Sequence, residues 1–349
     1  MTMYGVSNKK LNNTYISLTE GYMMEIFEDF RNFAASVCSL NHNKIKNDSI
    51  GGAKVRVYTP VKRQSRAALV FIHGGGWATM RADYYDDLMN GFIRRLGVTI
   101  FSVDYRLAPE YPFPHAVDDC EAVVCDLYNN SWEKYDIDRE KICVAGDSAG
   151  GNLAAVVTQR LARRNEHFIK CQVLVYPVIH VFAFQLPSYL AYYERYNGTS
   201  LLNPRAMARW ILLYLGLSAH KRNVELLITN RHISKKIASS PEIRTMVGHE
   251  VTPKKDLSSS EEPNQVRTDP DVCPILGVRK DLPPALVLTA EYDILRDEGI
   301  QYAKKLVEEG VPCEWKHHKS AYHGVCNMPY SPIRRNMTRD ICDFLRNHI

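Results

Sequence analysis

The segment from Glu140 to Arg164 constrains the fold more than any other part of the sequence. It starts with the apolar run "KICVAG", passes through a serine flanked by glycines and continues as the amphipathic pattern "NLAAVVTQRLARR". Glycines on both sides of Ser148 indicate a turn so tight that larger side chains would not fit. The pattern Gly146-x-Ser148-x-Gly150 between a strand and a helix is typical of a turn that exposes a nucleophilic hydroxyl. A phosphate-binding glycine turn or a plain strand-to-helix connection is the alternative interpretation.

Strand and helix patterns alternate along most of the chain. Further apolar runs lie at 55–60, 67–74, 98–106, 171–177, 284–293 and 312–318. Helical patterns lie between them or after them, at 82–96, 114–130, 149–165, 298–310 and 331–348. This alternation predicts an α/β fold with a mostly parallel central sheet flanked by helices on both faces. Continuous apolar runs such as "LVFI" fit strands buried on both faces, whereas the polar run at 312–318 fits an edge strand.

Two segments interrupt the alternation and predict a cap. The N-terminal part carries a helical pattern at 17–40, and the residues between 180 and 269 include another at 204–217. Insertions of this size in α/β folds usually cover the active site, although a simple loop extension is the alternative. We therefore predict a catalytic core in two pieces and a cap in two pieces. The core comprises residues 46–180 and 270–349, and the cap comprises residues 1–45 and 181–269.

Composition excludes several classes of protein. The net charge of +5 comes from scattered basic residues, which argues against a nucleic-acid groove. The nine cysteines show no C-x-x-C spacing, so we expect no zinc or other metal, and several cysteines fall in apolar strand patterns as buried thiols. No stretch approaches the ~18 apolar residues that span a bilayer. The sequence as given thus predicts a soluble, cytoplasmic protein; endoplasmic reticulum membrane association is the alternative if an upstream anchor is missing.

A second motif, "FIHGGGWA", directly follows a predicted strand. Its consecutive glycines would let backbone N–H groups approach a substrate oxygen, as acyl transfer requires. We predict an oxyanion hole formed by the N–H groups of Gly75, Gly76 and Ala149. His73 precedes these donors, and we interpret it as an orienting residue rather than a catalytic base.

An active serine requires a base and a residue that orients the base. Asp293 follows the strand pattern "ALVLTA", and His323 follows the last strand next to Gly324. The order Ser148, Asp293, His323 is the order of α/β-hydrolase triads. Loops that follow parallel strands open at the same sheet edge, so these three side chains can converge.

Other residues compete for these two roles. Asp297 could orient the base, but it opens a helical pattern, where an acidic residue also suits the helix dipole. His317 and His318 lie inside the strand pattern, with one expected to face solvent and the other inward. His115 begins a helical pattern and is expected to cap or pack.

Five motifs in order resemble the hormone-sensitive-lipase-like group of α/β-hydrolases, and within it the arylacetamide deacetylase and neutral cholesterol ester hydrolase branch. They are "HGGGW" (73–77), "DYRLAPE" (104–110), "GDSAGGNLAA" (146–155), "YDILRDEG" (292–299) and "YHGV" (322–325). The resemblance implies an esterase, deacetylase or lipase-like hydrolase of lipid metabolism that works through an acyl-serine without cofactor or metal. It maps the nucleophile onto Ser148, the acid onto Asp293 and the base onto His323. It also maps the oxyanion donors onto Gly75, Gly76 and Ala149.

The chain departs from that branch at its N-terminus and at two cysteines. Microsomal members carry an N-terminal anchor that has no counterpart in this sequence, and Ala78 and Ala290 stand where those members tend to have cysteines. The expected partner is a small, apolar ester or amide, with no nucleic acid and with association at a membrane surface left open. A small-molecule receptor of the same fold is the main alternative, followed by a serine peptidase and by a structural protein with a decayed site.

Overall fold

Eight strands form one sheet in the part of the chain that the computed structural model describes, which is residues 44–196, 201–233 and 269–349. The helix predicted over 17–40 lies outside these residues. The strands are β1 (Lys44–Ile50), β2 (Ala53–Thr59), β3 (Ala68–Ile72), β4 (Thr99–Asp104), β5 (Ile142–Asp147), β6 (Ile169–Val175), β7 (Ala285–Tyr292) and β8 (Cys313–Tyr322). The same part of the chain contains eight α-helices: α1 (Asp86–Leu96), α2 (His115–Asp126), α3 (Ala149–Arg163), α4 (Pro187–Ala191), α5 (Pro204–Tyr214), α6 (Lys221–Ile228), α7 (Arg296–Glu308) and α8 (Pro332–Arg346).

The sheet has the order β1-β2-β4-β3-β5-β6-β7-β8. The pairs β1–β2 and β2–β4 are antiparallel, and all pairs from β4 to β8 are parallel. The carboxyl ends of β3, β5, β7 and β8 therefore lie along one edge of the sheet. The predicted α/β class with a mostly parallel sheet is confirmed.

Side chains alternate between two apolar layers, one on each face of the sheet. Val70 and Ile72 of β3 join the layer formed with α2, α3 and α7, whereas Leu69 and Phe71 join the layer formed with α1 and α8. Strands buried on both faces read as unbroken apolar runs, which is why β3 and β5 to β7 were predictable. The edge position predicted for 312–318 is confirmed by β8.

The first strand was not predicted. β1 reads "KIKNDSI", and only Ile50 is buried in it. An edge strand with one hydrogen-bonded neighbour and a solvated surface needs no apolar alternation, so its sequence carries no strand signal.

The insertion between β6 and β7 contains α4, α5 and α6 in its described portions. The helix predicted over 204–217 is present as α5 and ends three residues earlier. The apolar residues that open the insertion, including Val181, Phe182, Phe184 and Tyr189, belong to the buried core. The boundaries of the two-piece core and cap stay predictions.

Candidate active site

Ser148 lies in the sharp turn between β5 and α3. Its backbone has φ 55° and ψ −120°, a conformation that costs energy for a residue with a side chain and that is characteristic of functional turns. The turn is fixed by the bond from the Ser148 N–H to the Val175 carbonyl, 2.9 Å. A Cβ on Gly150 would fall 2.0 Å from the carbonyl oxygen of Ile72, so only glycine allows this turn to pack against β3.

The three residues predicted to form a triad are in hydrogen-bond contact. Nδ1 of His323 donates to Oδ2 of Asp293 over 2.8 Å, and Nε2 accepts from the Ser148 hydroxyl over 2.9 Å. The Asp293 side chain is fully buried, and its Oδ1 accepts from the Leu295 N–H over 2.9 Å. The bond to Asp293 keeps the imidazole proton on Nδ1, so that Nε2 faces the serine hydroxyl as an acceptor.

The competing candidates are engaged elsewhere. Asp297 accepts from the Ser188 N–H and from Arg296. His317 bonds to Thr289 and Glu291, and Nε2 of its neighbour His318 lies 3.3 Å from Oδ2 of Asp340 on α8.

The two histidines outside β8 make local backbone contacts. His115 donates from Nδ1 to the Pro112 carbonyl at the start of α2. His73 donates to the Gly74 carbonyl over 2.7 Å and stacks on Tyr105, with ring centroids 4.3 Å apart. Among the described residues, neither histidine is hydrogen-bonded to Ser148.

The loop after β3 lies beside Ser148. A Cβ on Gly74 would come within 3.1 Å of the Ser148 Cβ, and the Gly74 N–H donates to Oδ1 of Asp147 over 2.9 Å. Within the described chain, the N–H groups of Gly75, Gly76 and Ala149 donate to no protein acceptor. These three amides are therefore available to an oxygen atom on a bound molecule.

Asp147 joins this loop to the serine turn, a role that the sequence did not predict. Its Oδ2 accepts from the Tyr85 hydroxyl over 3.1 Å, and that hydroxyl also accepts from the Gly74 N–H. Burial raises the pKa of Asp147 to about 6, and the bond from Tyr85 opposes that rise. The only available signal was its position inside the G-x-S-x-G pattern.

Tyr176 supports the imidazole of His323 from the end of β6. Their ring centroids are 4.8 Å apart, and the backbone of Tyr176 has a positive φ of 35°. Burial raises the pKa of the Tyr176 hydroxyl well above its ordinary value. The uncharged Tyr176 ring therefore packs against the imidazole of His323.

Glu298 fastens the start of the insertion to α7. Its fully buried carboxyl group accepts from the N–H groups of Ile179 and His180 over 2.7 and 3.2 Å, and from the Tyr189 hydroxyl over 3.2 Å. Burial raises the pKa of Glu298 to about 8 and lowers that of His180 to about 4. Burial therefore favours the neutral forms of Glu298 and His180.

Three further features of the described residues concern metal-ligating side chains, cysteines and helix length. They contain no group of three or more His, Cys, Asp or Glu side chains placed to hold a metal ion. Their eight cysteines are free thiols, six of them buried. No helix among them combines the length and apolar character that crossing a bilayer requires.

Taken as chemistry, the site supplies a hydroxyl hydrogen-bonded to an imidazole, a buried carboxylate behind it and unpaired amides beside it. A hydroxyl that can pass its proton to an imidazole becomes a nucleophile toward carbonyl carbon. Unpaired amides can stabilise the oxyanion that forms in that attack. The arrangement is suited to acyl transfer.

Comparison with known proteins places this geometry in a family. The family description of the α/β-hydrolase fold matches residues 69–256 and 255–327. The chain is 31% identical to mouse neutral cholesterol ester hydrolase 1 over 305 residues, covering 80% of this chain and 73% of that protein. It is 30% identical to bovine arylacetamide deacetylase over 329 residues, covering 87% and 80% respectively.

A solved structure has the same fold. A thermophilic and thermostable carboxylesterase cloned from a metagenomic library matches with a TM-score of 0.72 and 28% identity, covering 94% of this chain and 97% of that one. The predicted resemblance to the arylacetamide deacetylase and neutral cholesterol ester hydrolase branch is thereby confirmed. On the sheet order, the turn that carries Ser148 and these matches, the chain belongs to the α/β-hydrolase fold family.

Proposed function

We propose that this carboxylic ester hydrolase works through an acyl intermediate on Ser148, with His323 as general base and acid and Asp293 as the residue that orients His323. The observation that carries the proposal is the continuous hydrogen-bond chain from the serine hydroxyl through the imidazole to the buried carboxylate, at 2.9 and 2.8 Å. Such a chain is what an activated serine nucleophile requires.

The first half of the reaction forms the acyl-enzyme. Ser148 Oγ attacks the ester carbonyl carbon while its proton passes to Nε2 of His323. The carboxylate of Asp293 stabilises the imidazolium that results. The N–H groups of Gly75, Gly76 and Ala149 donate to the oxyanion, a contribution worth about 3–4 kcal/mol for each donor in related systems. Collapse of the intermediate expels the alcohol, which takes the proton from His323.

The second half regenerates the enzyme. Water gives its proton to His323 and attacks the acyl-serine carbonyl, and the same N–H groups donate to the oxyanion that forms. The acid departs as Ser148 regains its proton. The reaction needs no group beyond the side chains and amides named here.

For the substrate we propose a small, apolar carboxylic ester or amide. Support comes from the relatives, whose names include a cholesterol ester hydrolase and an arylacetamide deacetylase. We further propose that residues 1–45 and 181–269 cover the acyl pocket. Rates against p-nitrophenyl esters of graded acyl length and against p-nitroacetanilide would define the acyl length and the preference for ester over amide.

The test of the mechanism is Ser148→Ala with p-nitrophenyl acetate and butyrate. We expect kcat to fall at least about a thousandfold, as for removal of a triad serine in other hydrolases. Ser65→Ala is the matched control and is expected to retain wild-type turnover. Ser65 lies just before β3, at the edge of the sheet opposite to the one that carries Ser148. A Ser148→Ala enzyme with turnover within about tenfold of wild type would overturn the proposal, because the loss of a triad serine is far larger.

A burst experiment separates catalysis from binding alone. If the acyl-enzyme hydrolyses more slowly than it forms, rapid mixing with excess p-nitrophenyl ester releases about one equivalent of p-nitrophenol before steady state. A receptor that only holds the ester would release neither a burst nor a steady flux of phenol.

A further inference from the structure

Helix α5, from the insertion, packs directly on the loop that carries two of the proposed oxyanion donors. Trp210 and Tyr214 lie one turn apart on this helix and contact the consecutive residues Gly76 and Trp77. Residues four apart share one face of a helix, so this face is the one that meets the loop.

The first contact is between the indole of Trp210 and the backbone of Gly76. A Cβ built on Gly76 would fall 2.5 Å from Cδ2 and from Cγ of Trp210 and 2.8 Å from Cε3. The indole therefore occupies the space that a side chain at residue 76 would need, and it leaves no room for a methyl group. Gly76 has φ 60°, so it adopts this left-handed conformation without the strain that a larger residue would carry.

The second contact is between the rings of Tyr214 and Trp77. Their centroids are 4.4 Å apart and their planes differ by 7°, which is a parallel stack. Trp77 is fully buried with a positive φ of 58°, and its Nε1 has no hydrogen-bond partner among the described residues. The Trp77 carbonyl accepts from the Ala108 N–H over 2.9 Å, and the Gly75 carbonyl accepts from the Thr79 hydroxyl over 2.8 Å. Ring packing on Trp77 therefore acts together with these hydrogen bonds in holding the loop.

A backbone bond fixes the end of the helix in the same region. The Phe113 N–H donates to the Tyr214 carbonyl over 2.7 Å, and the Phe113 ring meets the Tyr214 ring edge-on at 5.8 Å. Helix α5 is thus anchored beside the loop independently of Trp210.

We propose that Trp210 is a positioning residue for the oxyanion hole: its indole, seated by the α5 anchor at Tyr214, holds the Gly75–Gly76 amides in the place where the oxyanion forms. This inference rests on the proposed acyl-serine mechanism. Amide donors stabilise a transition state only when they are already in place, and a misplacement of about 1 Å can cost 10²-fold in rate. The insertion then contributes to the chemical step as well as to covering the pocket.

The test measures the chemical step with a substrate whose acyl group is too short to depend on contacts with the insertion. For Trp210→Ala with p-nitrophenyl acetate we expect kcat to fall about 10- to 100-fold and KM to change less than about threefold, because the donors act in the transition state. A trifluoromethyl ketone, which forms a hemiketal oxyanion on Ser148, should lose affinity in proportion to the loss in kcat/KM. Trp210→Phe keeps a flat ring against Gly76 and should recover most of the activity.

The matched control is Trp132→Ala. Trp132 is another half-buried tryptophan, located before β5, at the opposite end of that strand from Ser148. Its loss should lower thermal stability without changing kcat or ketone affinity. If Trp210→Ala is recovered unfolded, Trp210→Leu takes its place in the comparison with Trp132→Ala. Leucine keeps apolar volume at this position but has no aromatic ring.

Two results would overturn the inference, and neither is shared with failure of the mechanism. A folded Trp210→Ala enzyme with unchanged kcat and ketone affinity would show that the loop holds its own position. A loss confined to KM would show that Trp210 binds substrate instead. Both readings require that Ser148→Ala abolishes turnover; if it does not, the mechanism itself has failed.

Discussion

At the scale of single residues, Asp147 connects the two halves of the site. One carboxyl oxygen accepts from the Gly74 N–H at the start of the loop after β3, and the other accepts from the Tyr85 hydroxyl. The residue precedes Ser148 directly, so the position of the proposed nucleophile and that of the proposed donors depend on one side chain. Burial raises its pKa to about 6, which marks a group that the fold holds at an energetic cost.

We predict that Asp147→Ala lowers kcat/KM for p-nitrophenyl acetate about tenfold or more, because the loop is no longer tied to the serine turn. Asp147→Asn keeps an acceptor for the Gly74 N–H and should stay within about threefold of wild type. Steady-state kinetics on the two variants provides the comparison.

Asp138→Ala is the control for Asp147→Ala. It removes a carboxylate that accepts the Glu140 N–H at the other end of β5. Equal losses in Asp138→Ala and Asp147→Ala would show that the effect is one of general stability, and the tie through Asp147 would then be refuted.

At the scale of elements, the site is assembled by the carboxyl ends of strands that are distant in sequence. Ser148 follows β5, Asp293 follows β7 and His323 follows β8. This convergence was predictable, because each residue follows a recognisable strand and parallel strands share one edge. The contacts made by Trp210 and Glu298 were not predictable, because they depend on where the insertion folds back onto the core, and no periodic pattern encodes that docking.

Glu298 on α7 gives a prediction about pH at this scale. Its folded-state pKa of about 8 lies above the ordinary 4.5, so the folded protein binds this proton more tightly than the unfolded chain. The resulting stabilisation is fully present below about pH 4.5 and is lost as pH rises through about 8. His180, Tyr189 and Asp293 are the ionisable groups around it.

We predict that Glu298→Gln, which resembles the protonated acid, removes this dependence. Between pH 5 and pH 8.5 its free energy of unfolding should gain about 4 kcal/mol relative to wild type, at about 1.4 kcal/mol for each tenfold change in proton affinity. Urea unfolding of both proteins across that range is the measurement. Parallel curves for the two proteins would contradict the assignment.

At the scale of the whole molecule, the limits of sequence-based prediction follow from burial. Strands such as β5 and β7, covered on both faces, are apolar throughout and were located within a few residues. β1 was missed because its side chains are solvated, and the core and cap boundaries stay predictions because composition does not change sharply there. The order of Ser148, Asp293 and His323 could be proposed from the chain alone, whereas the hydrogen bonds of Asp147 and Glu298 required the folded structure.

The most direct measurement of the central claim is to trap the nucleophile. Wild-type enzyme would be treated with one equivalent of an alkyl fluorophosphonate, digested and mapped by tandem mass spectrometry, with Ser148→Ala and His323→Ala treated in parallel. The mechanism predicts one phosphonyl adduct per chain on Ser148, none in Ser148→Ala and a strongly slowed reaction in His323→Ala. An adduct on another residue at the wild-type rate, or none at all on a folded wild-type enzyme, would contradict it.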